Sequence, residues 1–296
     1  MTAATKYTIP LIYITSFLFL FGETVQPAPR IAIYESIVCR QYYGAPGPHD
    51  CKVAPVQQEL ALLGGIERLS IIIPSILAIP FAALADRYGH SFILAIAMFG
   101  VFLEDGWPFL VTWFPDVFPI RLIWLHFVFS CVGGGFTVII TLLHVIIADV
   151  VGPEERTTMF FRTRAAGVAA SILGYATSGL MMRVNDFLPW AVGLISLVLC
   201  TITAAMIPNT TVEVAKPGDD SESSGGLGQK LRSAMKALKS ISSLLIGNKQ
   251  VLGMLILVFL CQLGFDAGPL MLAIYVSKRY GWTFSDVRAH ADFLSC

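Results

Sequence analysis

The feature that most constrains this chain is a series of uncharged apolar stretches, each about 20 residues long, the length that an α-helix needs to cross a bilayer. They recur at intervals too short for a soluble domain to lie between them. Of the 296 residues, 55% are hydrophobic and only 14% are charged, a composition that excludes an ordinary soluble globule. We expect an all-α integral membrane protein, because lipid offers no partners to unpaired backbone groups and the alternation typical of a β-barrel is absent from the sequence.

Seven membrane spans are predicted from the apolar stretches and the residues that interrupt them. The first runs near Ile9–Gln26, with the option of continuing beyond the break at Pro27 and Pro29. The others are Leu62–Ala85, Phe92–Phe114, Leu122–Val145, Met159–Met182, Leu188–Ile207 and Val251–Val276. The character of the chain changes after Ile207, so three regions are predicted: a six-span bundle over 1–207, a linker over 208–249 and the start of a second bundle over 250–296.

The predicted linker begins as a polar, acidic segment and ends in a stretch whose apolar residues recur every three or four positions from Leu227 to Leu245. This spacing predicts an amphipathic helix on a membrane leaflet, or a short linker helix with a solvated charged face. An N-terminus inside the cell leaves a modest excess of Lys and Arg in the cytoplasmic segments, the bias expected for that orientation. The linker is then cytoplasmic.

The same orientation places the loop between the first and second spans outside, and this loop is flanked by Cys39 and Cys51. An extracellular compartment permits a disulfide, which would close a short loop here. Two free thiols are the alternative. The remaining cysteines lie mostly within or beside apolar runs, where a thiol behaves as a small hydrophobe.

The stretch PFAALADRYGHS interrupts two apolar runs with a charged pair and a glycine, in the predicted cytoplasmic turn between the second and third spans. A carboxylate near a helix end can meet the partial positive charge of a neighbouring helix N-terminus, while glycine permits a sharp turn. The stretch resembles the loop signature G-x-L-x-D-R-x-G-R/K of the major facilitator superfamily, with Asp86, Arg87 and Gly89 at matching positions. Ala83 replaces the leading glycine, and His90 replaces the usual basic residue.

A second resemblance to this family lies in the loop after the fourth span, IADVVGPEERTTMFF. Facilitators place acidic and basic residues here that pair across the cytoplasmic face, which implies a gating role for Asp149, Glu155 and Arg156 together with the three residues of the first loop. The outer stretches YESIVCRQYY and CKVAPVQQELALLGG, and the later YVSKRYGWTFSDV, resemble fungal facilitators distantly similar to proton-coupled folate carriers and tetracycline exporters.

Two motifs that accompany proton antiport in parts of the family are absent from the sequence. Phe129, Ser130 and Cys131 precede the triple glycine of the fourth span, where some members carry an arginine. Tyr175 follows Gly174 in the fifth span, where the exporter signature requires proline. The motifs by themselves therefore do not predict proton antiport.

The resemblance implies a fold of two six-helix halves joined by a cytoplasmic loop. This sequence supplies a six-helix bundle, the linker, a seventh helix and the start of an eighth. Two interpretations follow: a fragment or truncated gene product, which we favour, or a natural half-carrier that needs a partner. In either case the missing C-terminal half is expected to be needed for activity.

Ionisable residues inside the predicted spans are candidates for function, because each costs roughly 2.5–3.5 kcal/mol on insertion scales. They are Glu23 in the first span, Glu104 and Asp105 in the third, and Asp266 in the seventh. The family resemblance implies that the first and seventh helices line the transport cavity, which favours Glu23 and Asp266 as residues that take up a proton and couple it to transport. The alternative is structural pairing of Glu23 with Arg30, and of Glu67 with Arg68 or another neighbour.

Two histidines of the fourth span, His126 and His144, are eighteen residues apart, which corresponds to five turns of a continuous helix. They are therefore predicted to share one face and to line the solute or proton pathway. The alternative is that each bonds a backbone carbonyl. The glycines at 133–135 are expected to permit close helix packing.

The most favoured function is transmembrane transport of a small solute by alternating access, with or without proton coupling. A non-transporting membrane protein, either a truncated carrier, a receptor or a scaffold, is the alternative. No catalytic, metal-binding or cofactor motif occurs in the sequence, so we expect neither an enzyme nor a cofactor. The formal net charge is +0, which gives no indication of nucleic acid as a partner. The expected partners are membrane lipid, a small-molecule solute and protons, in a multi-pass protein of either the plasma or the vacuolar membrane.

Overall fold

A computed structural model of the chain describes residues 3–44, 50–70, 74 and 78–208, together with single positions and short runs between 250 and 275. By its contacts the chain divides into one compact unit of Met1–Val212 with Trp282–Cys296 and another of Glu213–Gly281. The helices and sites below belong to the first unit. The predicted linker helix, most of the predicted seventh span and Asp266 lie outside the described residues.

The described part of the first unit is helical. Its helices are α1 (Ala3–Val25), α2 (Pro27–Tyr43), α3 (Ala54–Ser70), α4 (Ala78–Tyr88), α5 (His90–Trp113), α6 (His126–Ser130), α7 (Gly135–Val150), α8 (Pro153–Met182) and α9 (Phe187–Met206). A 3₁₀-helix, Ile120–Leu125, precedes α6.

Five stretches within the described residues are long and apolar enough to cross a membrane: Tyr7–Tyr43, His90–Trp113, Ile120–Val150, Pro153–Met182 and Phe187–Met206. They correspond to the predicted first, third, fourth, fifth and sixth spans, so these predictions are confirmed. The predicted second span, Leu62–Ala85, is described at its two ends, as the C-terminal part of α3 and most of α4.

The first span continues through the proline break rather than ending at it. Pro27 occupies the first turn of α2, where its missing N–H is not needed, and the N–H of Arg30 donates to the carbonyl of Gln26 at 3.1 Å. The resulting stretch, Tyr7–Tyr43, has 37 residues and would extend about 55 Å. Its outer end therefore reaches beyond a hydrocarbon core of about 30 Å.

Two apolar clusters occupy the interior of the bundle. The inner cluster, on the side predicted to face the cytoplasm, contains Phe19 of α1, Met98 of α5 and Leu197 of α9, all fully buried. The outer cluster contains Leu63 of α3 and Trp190 of α9. The segments between the two clusters carry the ionisable and amide side chains Glu23, Gln26 and Arg30 along α1 and α2, and Glu104 and Asp105 along α5. This leaves a polar layer across the middle of the bundle.

The predicted continuous fourth helix is wrong, because the triple glycine breaks it. Gly133 and Gly134 have φ values of 127° and 81°, in the region that favours glycine, and α7 begins only at Gly135. A Cβ on Gly133 would overlap the backbone of Ala97, so the break also lets this segment pack closely against α5. The five-turn relationship between His126 and His144 therefore does not hold, and the two histidines lie in different surroundings.

Candidate functional site

The polar layer is centred on Arg30 of α2, whose guanidinium binds two carboxylates from different helices. Its Nη1 lies 2.8 Å from Glu67 of α3, and its Nη2 lies 2.5 Å from Asp105 of α5. The Nε2 of Gln26 donates to the other oxygen of Asp105 at 3.1 Å. The three charged side chains are between 10% and 18% exposed. A charge pair removed from water is tolerated only with such close geometry and additional hydrogen bonds.

Aromatic side chains enclose the arginine on the outer side of this layer. The guanidinium carbon of Arg30 lies 5.2 Å from the ring centre of Trp190, within the range of a cation–π contact. Trp190 in turn meets the edge of Tyr34, with ring centroids 6.3 Å apart. Both aromatic residues are almost fully buried. The arginine is thus held in place by charge on one side and packing on the other.

A second chain of hydrogen bonds runs through His126 of α6. Its Nε2 lies 2.7 Å from the hydroxyl of Ser70, and its Nδ1 lies 3.2 Å from Glu104. The Ser70 hydroxyl donates to the carbonyl of Glu67 at 2.7 Å, so its oxygen accepts from the imidazole. His126 therefore joins Glu104 of α5 to Ser70 of α3 in a buried position.

Glu23 of α1 lies beside these groups but is bonded differently. It interacts electrostatically with Asp105, Glu104 and Arg30. Its Oε1 atom is buried and has no hydrogen-bond partner among the described residues. The predicted alternative of structural pairs is thus only partly matched: Arg30 pairs with Glu67 and Asp105 rather than with Glu23, and Glu67 pairs with Arg30 rather than with Arg68.

We call Glu23, Arg30, Glu67, Glu104, Asp105 and His126 the intramembrane network. It brings together four carboxyl groups, one guanidinium and one imidazole, so acids outnumber bases. A buried, unpaired carboxylate is costly in a medium of low dielectric constant. The network therefore concentrates acidic groups within the bundle in excess of the basic groups that can pair with them.

A second charged cluster lies at the predicted cytoplasmic ends of the helices. The imidazole of His90, at the start of α5, lies 3.0 Å from Asp149 at the end of α7 and 3.4 Å from Asp86 in α4. The His90 side chain is 12% exposed, whereas that of Asp86 is 79% exposed. We call His90 and Asp149, with Asp86, the cytoplasmic latch, because they tie three helices together at one end.

The remaining residues predicted for the gate do not join the latch in the described structure. Arg87 lies over the ring of Tyr88 at 5.5 Å, and the Nε of Arg156 donates to the carbonyl of Val151 at 3.2 Å. Glu155 is exposed in the first turn of α8. Gly89 has a φ of 102° and forms the sharp turn between α4 and α5, as the sequence predicts.

At the predicted outer end, Cys39 of α2 and Cys51 form a disulfide, which is the first of the two states that the sequence leaves open. Next to it, Lys52 lies 2.8 Å from Glu35, and the Nε2 of Gln57 donates to the same carboxylate and to the carbonyl of Cys51. The outer end of α2 is thus joined covalently and by hydrogen bonds to the segment that leads into α3.

His144 is exposed, and its Nδ1 donates to the carbonyl of Ile140 at 2.6 Å. This is the carbonyl bond that the alternative interpretation expected of a membrane histidine. The ring also lies 5.2 Å from that of Phe160. Among the described residues, no hydrogen bond joins His144 to the intramembrane network. His144 instead lines a separate cavity.

Sequence reasoning missed four residues that connect these sites: Gln26, Arg30, Ser70 and His90. From the sequence, Arg30 is expected only as a partner for Glu23, and His90 is notable only as a departure from a motif. The position of His90 at the basic site of that motif was the available signal. Nothing in the sequence marks Gln26 or Ser70, because short polar residues are common in membrane helices.

Membrane-length helices around an internal layer of ionisable groups define a multi-pass α-helical membrane protein. Residues 50–293 match the sequence profile of the Major Facilitator Superfamily, so the chain belongs to that family.

Curated fungal members of the family are similar along most of this chain. "Efflux pump ustT" of Aspergillus flavus is 32% identical over 280 residues, which cover 87% of this chain and 53% of the pump. "MFS efflux pump atnC" of Emericella nidulans is 31% identical over 277 residues, covering 89% of this chain and 54% of that protein. "MFS transporter SAT21" of Stachybotrys chartarum is 26% identical over 298 residues, covering 92% and 63%. The chain thus spans about half the length of the first two relatives.

Proposed function

We propose that this chain acts in proton-coupled transport of a small organic solute across a membrane, by alternating access. The observation that carries the proposal is the intramembrane network, in which three carboxyl groups contact one guanidinium or one imidazole and a fourth, Glu23, pairs with neither. Ionisable residues inside a membrane bundle mark ion or proton pathways far more often than they serve packing alone. The relatives named as efflux pumps support the direction from the cytoplasm outward.

Within this proposal, Glu23 holds the coupling proton. Its buried Oε1 has no hydrogen-bond partner among the described residues, and a protonated carboxyl group avoids placing a further negative charge beside Glu104 and Asp105. Arg30 is committed to Glu67 and Asp105 by two close contacts. A solute that approaches the network, or a movement that admits water, would change this balance and release the proton.

The cytoplasmic latch supplies the conformational part of the proposal. Alternating access requires contacts that close one side of the carrier and open in another state. His90 and Asp149 join the start of α5 to the end of α7, and Asp86 adds α4. The side chains of Asp86 and Asp149 are 79% and 27% exposed, so both carboxylates keep access to water when the contacts break. We propose that they close the cytoplasmic side of this bundle, in the gating role that the sequence predicts for Asp86 and Asp149.

Solute flux tests the function. Proteoliposomes that contain the full-length protein, in which this chain is continued by the C-terminal half that the family fold implies, are loaded with a pH-sensitive dye. They are offered a panel of radiolabelled solutes: rhodamine 6G, N-acetylphenylalanine and N-acetylphenylalaninamide. We expect saturable uptake of at least one of them, faster with an imposed pH gradient than without it, and accompanied by a change in internal pH. Protein-free liposomes are the control. Uptake that ignores the gradient would contradict the proton coupling, and a folded full-length protein that moves none of the panel would contradict the transport function.

The proton site is tested without a substrate. Infrared difference spectra of the membrane-embedded chain should show a protonated carboxyl band that is lost in Glu23→Gln. Glu59→Gln is the matched control, because Glu59 binds Arg121 near the surface and should leave the band unchanged. If Glu23→Gln leaves the band and the proton-coupled flux intact, Glu23 does not hold the proton.

A further inference from the structure

A cavity of about 40 Å³ lies between α1, α7 and α8, separate from the intramembrane network and the latch. Its walls are largely apolar, with Phe19 of α1 and Ile147 of α7 among them. Four polar side chains also line it: Ser16 of α1, His144 of α7, and Thr163 and Arg164 of α8. The Thr163 hydroxyl is occupied, because it donates to the carbonyl of Met159 at 2.9 Å. None of them has a part in the proton-coupling proposal made above.

Arg164 is a charged residue without a partner in the described part of the chain. It is exposed, and the described residues supply it with no ion pair, hydrogen bond or ring contact. It lies eleven residues after Pro153, which is about 16 Å along α8. A guanidinium offers five N–H donors and is always charged, so its unused donors favour an anion.

Ser16 is an independent observation that points to the same cavity. The residue is 3% exposed, and its hydroxyl oxygen is buried with no hydrogen-bond partner among the described residues. Buried polar groups are nearly always hydrogen-bonded, so a hydroxyl left unsatisfied by the described residues is available to water or to a bound group. A hydroxyl can donate to the same anion that Arg164 would bind.

His144 adds a third polar group at the wall of the cavity. Its Nδ1 donates to the carbonyl of Ile140 at 2.6 Å, which orients the ring and leaves Nε2 of the neutral imidazole as an acceptor, so His144 shapes the wall and does not donate to the anion. The ring also contacts Phe160, with centroids 5.2 Å apart. The imidazole is therefore positioned by two contacts that do not use its second nitrogen.

The size of the cavity limits what it can hold. A volume of 40 Å³ accommodates about three water molecules, at roughly 10–15 Å³ each by this measure, or one group of three heavy atoms such as a carboxylate. A whole organic solute does not fit. The rest of such a solute would lie outside the cavity, beyond the exposed side chains of His144 and Arg164.

We propose that this cavity binds the carboxylate group of the transported solute, with Arg164 as the charged contact and Ser16 as the buried donor. The proposal rests on the proposed function, since it names the chemical class of the substrate. It places the solute on the predicted cytoplasmic half of the bundle, away from Glu23 and its neighbours. Solute and proton then occupy different sites of the same bundle.

The phosphate of a lipid headgroup is the other anion that Arg164 could meet. A headgroup remains near the leaflet surface, whereas Ser16 lies nine residues into the span that begins at Tyr7, about 14 Å along the helix. A lipid phosphate would satisfy Arg164 but would leave the Ser16 hydroxyl without a partner. This difference favours a solute carboxylate over a lipid phosphate. Dependence of binding on Ser16 therefore distinguishes the two ligands.

Equilibrium binding to the chain in phosphatidylcholine nanodiscs tests the proposal. The probes are N-acetylphenylalanine, which carries a carboxylate, and N-acetylphenylalaninamide, which has nearly the same shape and no charge. We expect the carboxylate to bind at least tenfold more tightly than the amide. Arg164→Gln should weaken carboxylate binding roughly tenfold or more, the size expected for loss of one charge-assisted contact. Ser16→Ala should weaken it severalfold, and Arg164→Lys should retain part of it.

Arg162→Gln is the matched control, because Arg162 is an exposed arginine two positions away on the same helix and does not line the cavity. It should leave the affinity unchanged. Equal binding of the two probes, or equal losses in Arg162→Gln and Arg164→Gln, would overturn the proposal. So would a chain that binds no carboxylate probe but binds spin-labelled phosphatidylglycerol through Arg164 independently of Ser16, because the site would then hold lipid.

These outcomes are separate from those of the transport assay. A chain that binds the carboxylate probe through Arg164 but moves no solute would contradict the proposed function and leave a carboxylate site. A chain that moves the amide or rhodamine 6G in a proton-coupled manner, and shows no Arg164-dependent binding, would keep the function and overturn the carboxylate site.

Discussion

The guanidinium Nη2 of Arg30 on α2 lies 2.5 Å from the Oδ1 of Asp105 on α5, and its Nη1 holds Glu67 of α3. One arginine therefore ties three helices together inside the bundle. We expect Arg30→Gln to lower the free energy of unfolding by about 3–5 kcal/mol, because two buried carboxylates lose their counter-charge. Unfolding by sodium dodecyl sulfate in mixed micelles, followed by circular dichroism, measures this loss.

Arg40→Gln is the control for this prediction. Arg40 is on the same helix and pairs with Asp116, but the two side chains are 44% and 83% exposed. An exposed pair of this kind contributes roughly 0–1 kcal/mol. Similar losses in the two variants would mean that burial of the Arg30 pair has no energetic consequence. Adding Asp105→Asn and Glu67→Gln to Arg30→Gln should recover part of the stability.

Gly89 should tolerate no side chain without a penalty. Its φ of 102° is a conformation that L residues rarely adopt, and strain of this type amounts to roughly 1–3 kcal/mol. Gly152 precedes α8 as Gly89 precedes α5, but has a φ of −60° and open space around it. We expect Gly89→Ala to lose at least 1 kcal/mol more than Gly152→Ala in the same unfolding titration, a margin taken from the range for strained backbone. Equal losses would assign the effect to helix capping instead.

We expect the contact between His90 and Asp149 to contribute a measurable coupling energy to the stability of the chain. We expect a double-mutant cycle of His90→Gln and Asp149→Asn to give about 0.5–1.5 kcal/mol, the range for residues that share one hydrogen bond. The cycle of His90→Gln with Asp86→Asn should give less, since Asp86 is 79% exposed and its contact is 3.4 Å long. A larger coupling to Asp86 than to Asp149 would show that the latch mainly joins α5 to α4 across their turn and not to α7.

Reduction of the outer disulfide should destabilise the chain. The two cysteines are separated by 12 residues, and closing a loop of about this size contributes roughly 3 kcal/mol in the chain-entropy description. A reducing agent should therefore shift the unfolding midpoint of the wild-type chain and leave that of a Cys39→Ser/Cys51→Ser variant unchanged. A shift of equal size in both would show that the reductant acts elsewhere.

The membrane spans could be predicted from the sequence because the hydrocarbon core imposes both their length and their composition. That constraint is local, so apolar runs such as Phe92–Phe114 and Leu188–Ile207 locate the helices to within a few residues. The disulfide could be anticipated for a similar reason, since Cys39 and Cys51 lie close in sequence within a loop predicted to be outside. The role of Gly89 could be predicted because a sharp turn between two spans favours a residue that can adopt a positive φ.

The partners of the buried charges could not be predicted, because they depend on how helices pack and not on spacing along one of them. Arg30 is seven residues from Glu23 but bonds Glu67 and Asp105, which reach it from other helices. The break before α7 was missed for a different reason. A run of three glycines permits close packing both inside a continuous helix and at a helix break. Here α5 packs closely against glycines that form a break.

The disulfide between Cys39 and Cys51 also reports on the orientation in which each molecule was inserted into the membrane. Thiols oxidise to a stable disulfide only where the redox environment allows it, so the loop that carries them must have been translocated before the bond formed. A polypeptide threaded in the opposite sense would keep both sulfurs reactive toward alkylating reagents. The fraction of protein protected from alkylation therefore reports how faithfully this chain chooses its orientation during biosynthesis.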